Sequence, residues 1–185
     1  ISTGTDEDWE IVLGPSLTYT GIAQVQTIAS ATFKGLPVNH SVSGNQQKDA
    51  GDYELTLTGQ GNFCGEKKVA WTIAPKALKL TAGSGSKIYD GAPLMVAAVT
   101  ANGFVAGESA AYTCNGSQLD VGTSANEVAS IDWTNAKATN YSVTKVSGTL
   151  TVTARPVTVK SKDIGKPYDG TPLKLTAGDI SVAYG

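Results

Sequence analysis

The sequence predicts an all-β fold of tandem small β-sandwich or β-grasp-like domains, with antiparallel and mixed strands and little or no helix. Three observations support this prediction. Several short segments alternate apolar and polar residues with a period of two, no segment shows apolar residues at helical spacing over three turns, and a turn motif recurs along the chain. In addition, only 16% of the residues are charged, whereas exposed helix faces usually carry many Glu, Lys and Arg residues.

A turn motif organises the chain. Residues 87–94 read KIYDGAPL, and residues 166–173 repeat them almost letter for letter as KPYDGTPL. A divergent third copy, Tyr19-Thr20-Gly21, lies near the start. The tyrosines of successive copies are 70 and 79 residues apart, a spacing that is too long for a solenoid and fits small tandem domains. The sequence therefore predicts a divergent first repeat at 1–75, a second repeat at 76–155 and an incomplete third repeat at 156–185.

Each residue type in this motif suits a tight turn. Aspartate accepts a backbone N–H, glycine takes a positive φ, and proline fixes its own φ while restricting the residue before it. We expect the ring of Tyr89 to cover the core and its hydroxyl to reach a buried backbone group. An Asp beside a Tyr also suits acid–base chemistry, but recurrence without a partner histidine or metal set favours a structural turn. The predicted turn residues are Tyr19, Gly21, Tyr89, Asp90, Gly91, Pro93, Tyr168, Asp169, Gly170 and Pro172.

The first repeat begins with an acidic cluster, Asp6 to Asp8, followed by an apolar strand at 11–13. Because Ca²⁺ needs six or more oxygens from several positions, a solvated terminus is favoured over a cation site. A strand is predicted over 25–33. The alternating segments 53–58 and 69–74 predict an antiparallel hairpin that ends the repeat, since Pro75 cannot donate to a sheet.

The second repeat follows the same plan, with predicted strands around Leu78 and Leu80 and at 128–133, 141–146 and 150–152. The third repeat begins with alternating Val157 and Val159, passes its own turn and ends 17 residues after Tyr168. We expect that it cannot close alone. Its strands would then present unpaired edges for pairing with another chain or for folding back on the second repeat.

Composition excludes several classes of function. The formal net charge is −2 and the basic residues are scattered, so we expect no nucleic-acid or anionic-membrane partner. No apolar run approaches the roughly 20 residues that cross a bilayer, so no membrane insertion is expected. No targeting signal opens the chain, which we expect to belong to a longer protein. Cys64 and Cys114 lie in different repeats, and either a disulfide between them or two buried free thiols would fit.

The motif and its surroundings resemble a known family. Lys-x-Tyr-Asp-Gly-x-Pro-Leu, followed by GFVAGE at 103–108, DVGT at 120–123, Asn140-Tyr141 and a closing RPVTV at 155–159, is similar to the mostly-β, glycine-rich MBG or YDG repeats of large bacterial surface proteins. The likeness covers the second repeat and the start of the third; the first repeat is looser and lacks the aspartate. The resemblance implies an extracellular stalk or adhesin at the cell surface or wall, with neighbouring repeats and host or cell-wall glycans or proteins as partners.

Three classes of function follow from these residues. The leading hypothesis is a structural or adhesive module that acts as a stalk or spacer through stiff tandem domains. The alternative is a carbohydrate-binding module in which Trp9, Trp71 and Trp133 stack on sugars, although Trp71 occupies a core position of its strand. Two or more tryptophans exposed on one face would favour this alternative.

An enzyme is not expected. His40 is the only histidine, and no catalytic triad, metal-ligand spacing, phosphate loop or cofactor motif accompanies it. Surface β-domains can also carry a Lys–Asn crosslink assisted by a buried carboxyl group. Lys87 and Lys166 are candidate lysines, but both adjoin Gly or Pro loops and are expected to face solvent.

Overall fold

The computed structural model describes residues 8–185. It is 53% strand and 4% helical and has no helix of seven or more residues, so the predicted all-β fold with antiparallel and mixed sheets is confirmed. The helical residues include two single 3-10 turns, Ala138–Asn140 and Ala177–Asp179. In this part of the chain, no helix is long and apolar enough to cross a membrane.

The strands follow one another in chain order. They are β1 Trp9–Leu13, β2 Leu17–Thr18, β3 Gln24–Val25, β4 Ile28–Phe33, β5 Leu36–Pro37, β6 His40–Ser43, β7 Gln46–Gln47, β8 Gly51–Gly59, β9 Glu66–Ala74, β10 Lys76–Ala82, β11 Gly85–Ile88, β12 Val99–Asn102, β13 Ala111–Cys114, β14 Gly122–Asn126, β15 Val128–Asp132, β16 Tyr141–Val146, β17 Gly148–Thr153, β18 Val157–Ser161 and β19 Ile180–Tyr184.

The described residues form two compact units. The first contains the chain up to Thr81 together with Val99–Thr113 and Val128–Val146, and the second contains Ala82–Ala98, Cys114–Glu127 and Ser147–Gly185. The predicted second repeat therefore supplies strands to both units, because its strands alternate between them along the chain.

The largest sheet of the first unit has the order β2-β9-β8-β6. Strands β8 and β9 form the antiparallel hairpin predicted from their alternation, with Tyr53 opposite Trp71. Their inward-facing residues, among them Leu55, Leu57 and Ile73, are fully buried because every second side chain points to the core. The single strand predicted over 25–33 is instead two strands, β3 and β4, which belong to different sheets.

A second sheet of this unit has β10 at its centre, between β12 and β16. β9 ends at Ala74 and β10 begins at Lys76, so Pro75 separates the two strands, as a residue without an N–H should. β16 runs parallel to β10, with Tyr141 opposite Lys76. Leu78 and Leu80 of β10 are buried, which accounts for their alternation in the sequence.

The second unit contains a three-stranded sheet with the order β11-β17-β14, in which Leu150 and Val152 of the central strand are buried. It also contains an antiparallel hairpin, β18–β19, in which Val157 lies opposite Tyr184. Every residue of these two strands is exposed. Within residues 8–185 no third strand pairs with β18 or β19, so the outer edges of this hairpin carry unpaired backbone groups.

Both cysteines are free thiols, and no disulfide joins Cys64 to Cys114. Cys64 is exposed and Cys114 is half-buried. The alternative of two buried thiols is therefore also wrong, because Cys64 lies in the exposed turn between β8 and β9.

Candidate functional site

The three copies of the turn motif share one backbone geometry. Their glycines have positive φ angles of 83° at Gly21, 81° at Gly91 and 75° at Gly170, a region in which a side chain is strained. The two motif prolines, Pro93 and Pro172, each lie two residues after the glycine.

The aspartates of the two complete motifs close their own turns. The Oδ1 atom of Asp90 accepts the backbone N–H of Ala92 at 3.0 Å, and Asp169 accepts that of Thr171 at the same distance. Each also pairs with the lysine three residues before it, at 2.5 Å for Lys87 and 2.7 Å for Lys166. The ammonium of Lys166, followed by the N–H and hydroxyl of Thr171, lowers the pKa of Asp169 to about 2.

These ion pairs bear on the crosslink considered above. The side chain of Lys87 is only 20% exposed and its ammonium also donates to the carbonyl oxygen of Ala92, so the expectation that it faces solvent is wrong. Both candidate lysines direct their amine to an aspartate of their own turn. This arrangement stiffens the turn without a covalent bond.

The motif tyrosines differ strongly in burial. Tyr19 is 2% exposed, Tyr89 is 38% exposed and Tyr168 is 96% exposed. The expectation that Tyr89 covers the core is therefore wrong, because its ring lines an open pocket. Since the turns share their backbone geometry, the difference must come from what covers each ring.

Tyr19 is covered by residues from the second predicted repeat, within the first unit. Its hydroxyl donates a hydrogen bond to Oε1 of Glu108, and the hydroxyl of Tyr141 donates to Oε2 at 2.5 Å. The two rings meet edge to face with their centroids 5.7 Å apart, a favoured aromatic geometry. One carboxylate thus joins two buried phenols.

Beside this contact lies a second polar cluster. Asn140 is buried; its amide donates to Oδ1 of Asp49 at 2.9 Å and its Oδ1 accepts the backbone N–H of Ala50 at 2.8 Å. Lys137 pairs with Oδ2 of Asp49 at 2.8 Å. The hydrogen bond from Lys137, followed by that from Asn140, lowers the pKa of Asp49. We call the two clusters together the Tyr19 junction: Tyr19, Asp49 and Ala50 on one side, and Glu108, Lys137, Asn140 and Tyr141 on the other.

Aromatic packing supports this junction from behind. The ring of Tyr141 stacks on Trp133 at 5.9 Å and meets Phe104 edge-on at 5.1 Å. The backbone N–H of Val105 donates to the hydroxyl oxygen of Tyr141 at 3.0 Å. Burial, followed by the hydrogen bond to Glu108, raises the pKa of both Tyr19 and Tyr141 to about 12. Both hydroxyls therefore keep their protons at neutral pH and remain donors.

The three tryptophans considered for sugar stacking are engaged in packing. Trp71 is buried against Tyr53 in the β8–β9 core. Trp9 is half-buried against Phe33, and Trp133 is half-buried against Tyr141. None of the three is a fully exposed platform.

The structure describes only one of the three residues of the acidic cluster. Asp8 lies 3.7 Å from Lys34, whereas Asp6 and Glu7 lie outside the described residues. Within residues 8–185, no three His, Cys, Asp or Glu side chains are grouped so that they could hold a metal ion.

The sequence analysis missed the partners of Tyr19. Glu108 and Asn140 appeared in it only as parts of recurring strings, and Asp49 and Lys137 did not appear. The signal that could have found them is the recurrence of polar residues beside motif glycines, such as Asp49 before Gly51 and Asp120 before Gly122. No protein-family model, curated protein or solved structure matches the chain. The MBG or YDG resemblance therefore stays a prediction.

Proposed function

We propose that this chain is a structural or adhesive repeat module that acts as a stalk or spacer in a secreted bacterial surface protein. The observation that supports this proposal is the Tyr19 junction. It joins the first two predicted repeats through two buried phenols, a shared carboxylate and a buried amide, instead of through a flexible linker.

The proposed mechanism is mechanical. The polar groups of the junction have fixed partners, since Glu108 accepts from two tyrosines and Asn140 both donates and accepts. Breaking the contact would leave the buried amide and phenols without partners, which costs about 1–3 kcal/mol for each such group. The junction therefore limits bending between the first and second repeats more strongly than an apolar contact of equal area would.

Distance measurements between spin labels test this stiffness. One label is attached at the exposed Cys64 in the first repeat and one at a cysteine replacing the exposed Ala129 in the second, with Cys114→Ser to avoid a third label. We expect one narrow distance distribution. In a Tyr19→Phe/Asp49→Asn variant the distribution should broaden, because the hydrogen bonds and the charge pair are lost while the shapes remain.

The matched control is Tyr89→Phe/Asp120→Asn, which makes the same chemical changes at the second motif and should leave the distribution narrow. A distribution that is already broad in the unchanged junction would contradict the spacer function. A glycan array probes the competing function. Saturable binding that Trp9→Ala or Trp133→Ala abolishes in a folded chain would replace the spacer by a carbohydrate-binding module.

A further inference from the structure

The strand arrangement around Tyr19 recurs around Tyr89. In the first unit, β9 lies between the parallel strand β2 and the antiparallel strand β8; in the second unit, β17 lies between the parallel strand β11 and the antiparallel strand β14. The backbone N–H of Tyr19 donates to the oxygen of Ala74 at 2.9 Å, and that of Tyr89 donates to the oxygen of Thr153 at 2.8 Å. The two tyrosines therefore occupy equivalent positions.

The sheet register extends this equivalence to the polar cluster. Gly51 lies opposite Ile73, one residue before Ala74, and Gly122 lies opposite Val152, one residue before Thr153. The two residues before each glycine therefore correspond as well. Asp120 matches Asp49, and Val121 matches Ala50.

The matching residues of the second unit are uncovered. Tyr89 is 38% exposed, Val121 is 57% exposed and Asp120 is exposed. Tyr89, Val121, Arg155, Val157 and Tyr184 line an open pocket of about 400 Å³. The Tyr19 side of the first junction thus has a counterpart in which no residue takes the place of Glu108 or Tyr141.

The neighbouring hairpin offers the strand edge that such a partner would use. Tyr141 begins β16, which pairs in parallel with β10 and places Tyr141 opposite Lys76. Lys76 follows Pro75 at the start of β10, just as Val157 follows Pro156 at the start of β18. A strand added in parallel to the free edge of β18 in the same register would place its tyrosine opposite Val157, beside Tyr89.

We propose that the surface formed by Tyr89, Asp120, Val121 and the free edge of β18 binds a further β-repeat carrying a Gly-Glu loop and an Asn-Tyr strand start. Its glutamate accepts from the hydroxyl of Tyr89 and faces the guanidinium of Arg155, which lines the same pocket. Its asparagine donates to Asp120 and accepts the backbone N–H of Val121. This inference rests on the proposed function as a repeat spacer and identifies the partner that extends it.

A second copy of the same chain is a poor source of this partner. In each copy, Glu108 and Tyr141 already contact Tyr19, and Asn140 already contacts Asp49. The matching segment must therefore come from a repeat whose Gly-Glu loop is not already engaged. Such a repeat can be built after Gly185, which lies as far from Tyr168 as Ala106 lies from Tyr89, namely 17 residues.

The test extends the full chain by a copy of residues 107–155 placed directly after Gly185. Tyrosine nitration by tetranitromethane, mapped by peptide mass, then reports which rings are open. We expect Tyr89 to react about ten times more slowly in the extended chain, since a contact favoured by about 1.4 kcal/mol leaves a tenth of the molecules open. Tyr19 is the buried reference in both chains, and Tyr168 is the exposed reference.

The matched control carries alanine at the positions of the added copy that correspond to Glu108, Asn140 and Tyr141. In that chain Tyr89 should react at its original rate. Equal nitration of Tyr89 in the extended and original chains, with the extension folded, would overturn the proposal. It would leave the spacer function intact, because the spin labels report only on the Tyr19 junction.

A second measurement does not depend on the folding of the extension. A synthetic peptide copying residues 137–146, KATNYSVTKV, is added to the unchanged chain and followed by amide NMR shifts. We expect shifts in β18 and at Tyr89 and Val121, and none with a peptide in which the Asn and Tyr are alanine. Equal shifts with both peptides, or none with either at millimolar concentration, would count against the surface.

Discussion

The turns at Tyr19 and Tyr89 have nearly the same backbone and opposite surroundings. Each tyrosine N–H donates to the last strand residue of its sheet, and each following glycine has a φ near 80°. Yet one ring is buried under Glu108 and Tyr141, whereas the other borders an open pocket. The comparison teaches that the motif builds one half of a junction, and that burial depends on whether the next repeat supplies the other half.

The largest expected difference comes from removing the two rings. Tyr19→Ala should lower the free energy of unfolding by about 3–5 kcal/mol, since it empties a buried aromatic site. Tyr89→Ala should cost less than about 1 kcal/mol, because much of its ring is already in contact with water. Urea unfolding followed by tryptophan fluorescence measures both. Equal losses for the two variants would mean that the junction does not stabilise the fold.

The paired aspartates should show the next largest difference. Asp49→Ala leaves the buried amide of Asn140 without an acceptor, so a loss of about 1–3 kcal/mol is expected. Asp120→Ala changes an exposed residue and should stay within about 0.5 kcal/mol. Thermal unfolding of the two variants, side by side, gives the comparison. A larger effect at Asp120 would contradict the equivalence drawn from the sheet register.

The two motif glycines differ in a smaller way. Gly91→Val should cost about 1 kcal/mol, since its φ of 81° strains a side chain while nothing lies within 4 Å of an added Cβ. Gly21→Val should cost more, because an added Cβ would lie 2.5 Å from Cγ1 of Val105. Melting temperatures of both variants provide the check. An unchanged melting temperature for Gly91→Val would be inconsistent with this turn geometry.

The smallest expected effect is on the pH dependence of stability. The pKa of Tyr19 and of Tyr141 is raised to about 12, above the ordinary value of 10.0, so the folded state holds these protons more tightly. Their contribution is complete below pH 10 and is lost as the pH rises from 10 to 12. Between pH 9 and about pH 10.5, each tyrosine should lose roughly 1 kcal/mol or less.

Urea unfolding at the two pH values measures this loss. The Tyr19→Phe/Tyr141→Phe variant should show a flatter dependence, since it has no phenol to ionise at the junction. Tyr89→Phe is the matched control and should keep the original slope. An identical slope in all three chains would show that the two phenols do not lose stability by ionisation in this range.

Much of the fold was accessible from local patterns. The alternation at 53–58 and 69–74 predicted the β8–β9 hairpin, and Pro75 marked the break before β10, because both signals depend on neighbouring residues alone. The prediction of one strand over 25–33 was wrong. There the apolar residues are compatible with one strand, and the division into β3 and β4 depends on pairing with distant partners, β7 and β1.

The candidate site was less accessible. Tyr19 was identified through its motif, but Glu108 lies 89 residues from it and Asn140 lies 91 residues from Asp49. No local pattern connects residues at such separations. The burial predicted for the ring of Tyr89 failed for the same reason, since the residues that would cover it belong to another repeat.

By itself, the sequence determined the repeat spacing, the positive-φ turns and the alternating strands, because each of these follows from the chemistry of adjacent residues. The tertiary structure alone decided which half-junction is filled. A carboxylate, an amide and an aromatic ring reach Tyr19 and Asp49 only after β16 pairs with β10, and the corresponding edge of β18 has no such strand within the described residues. Identical turns therefore give a closed contact at Tyr19 and an open surface at Tyr89.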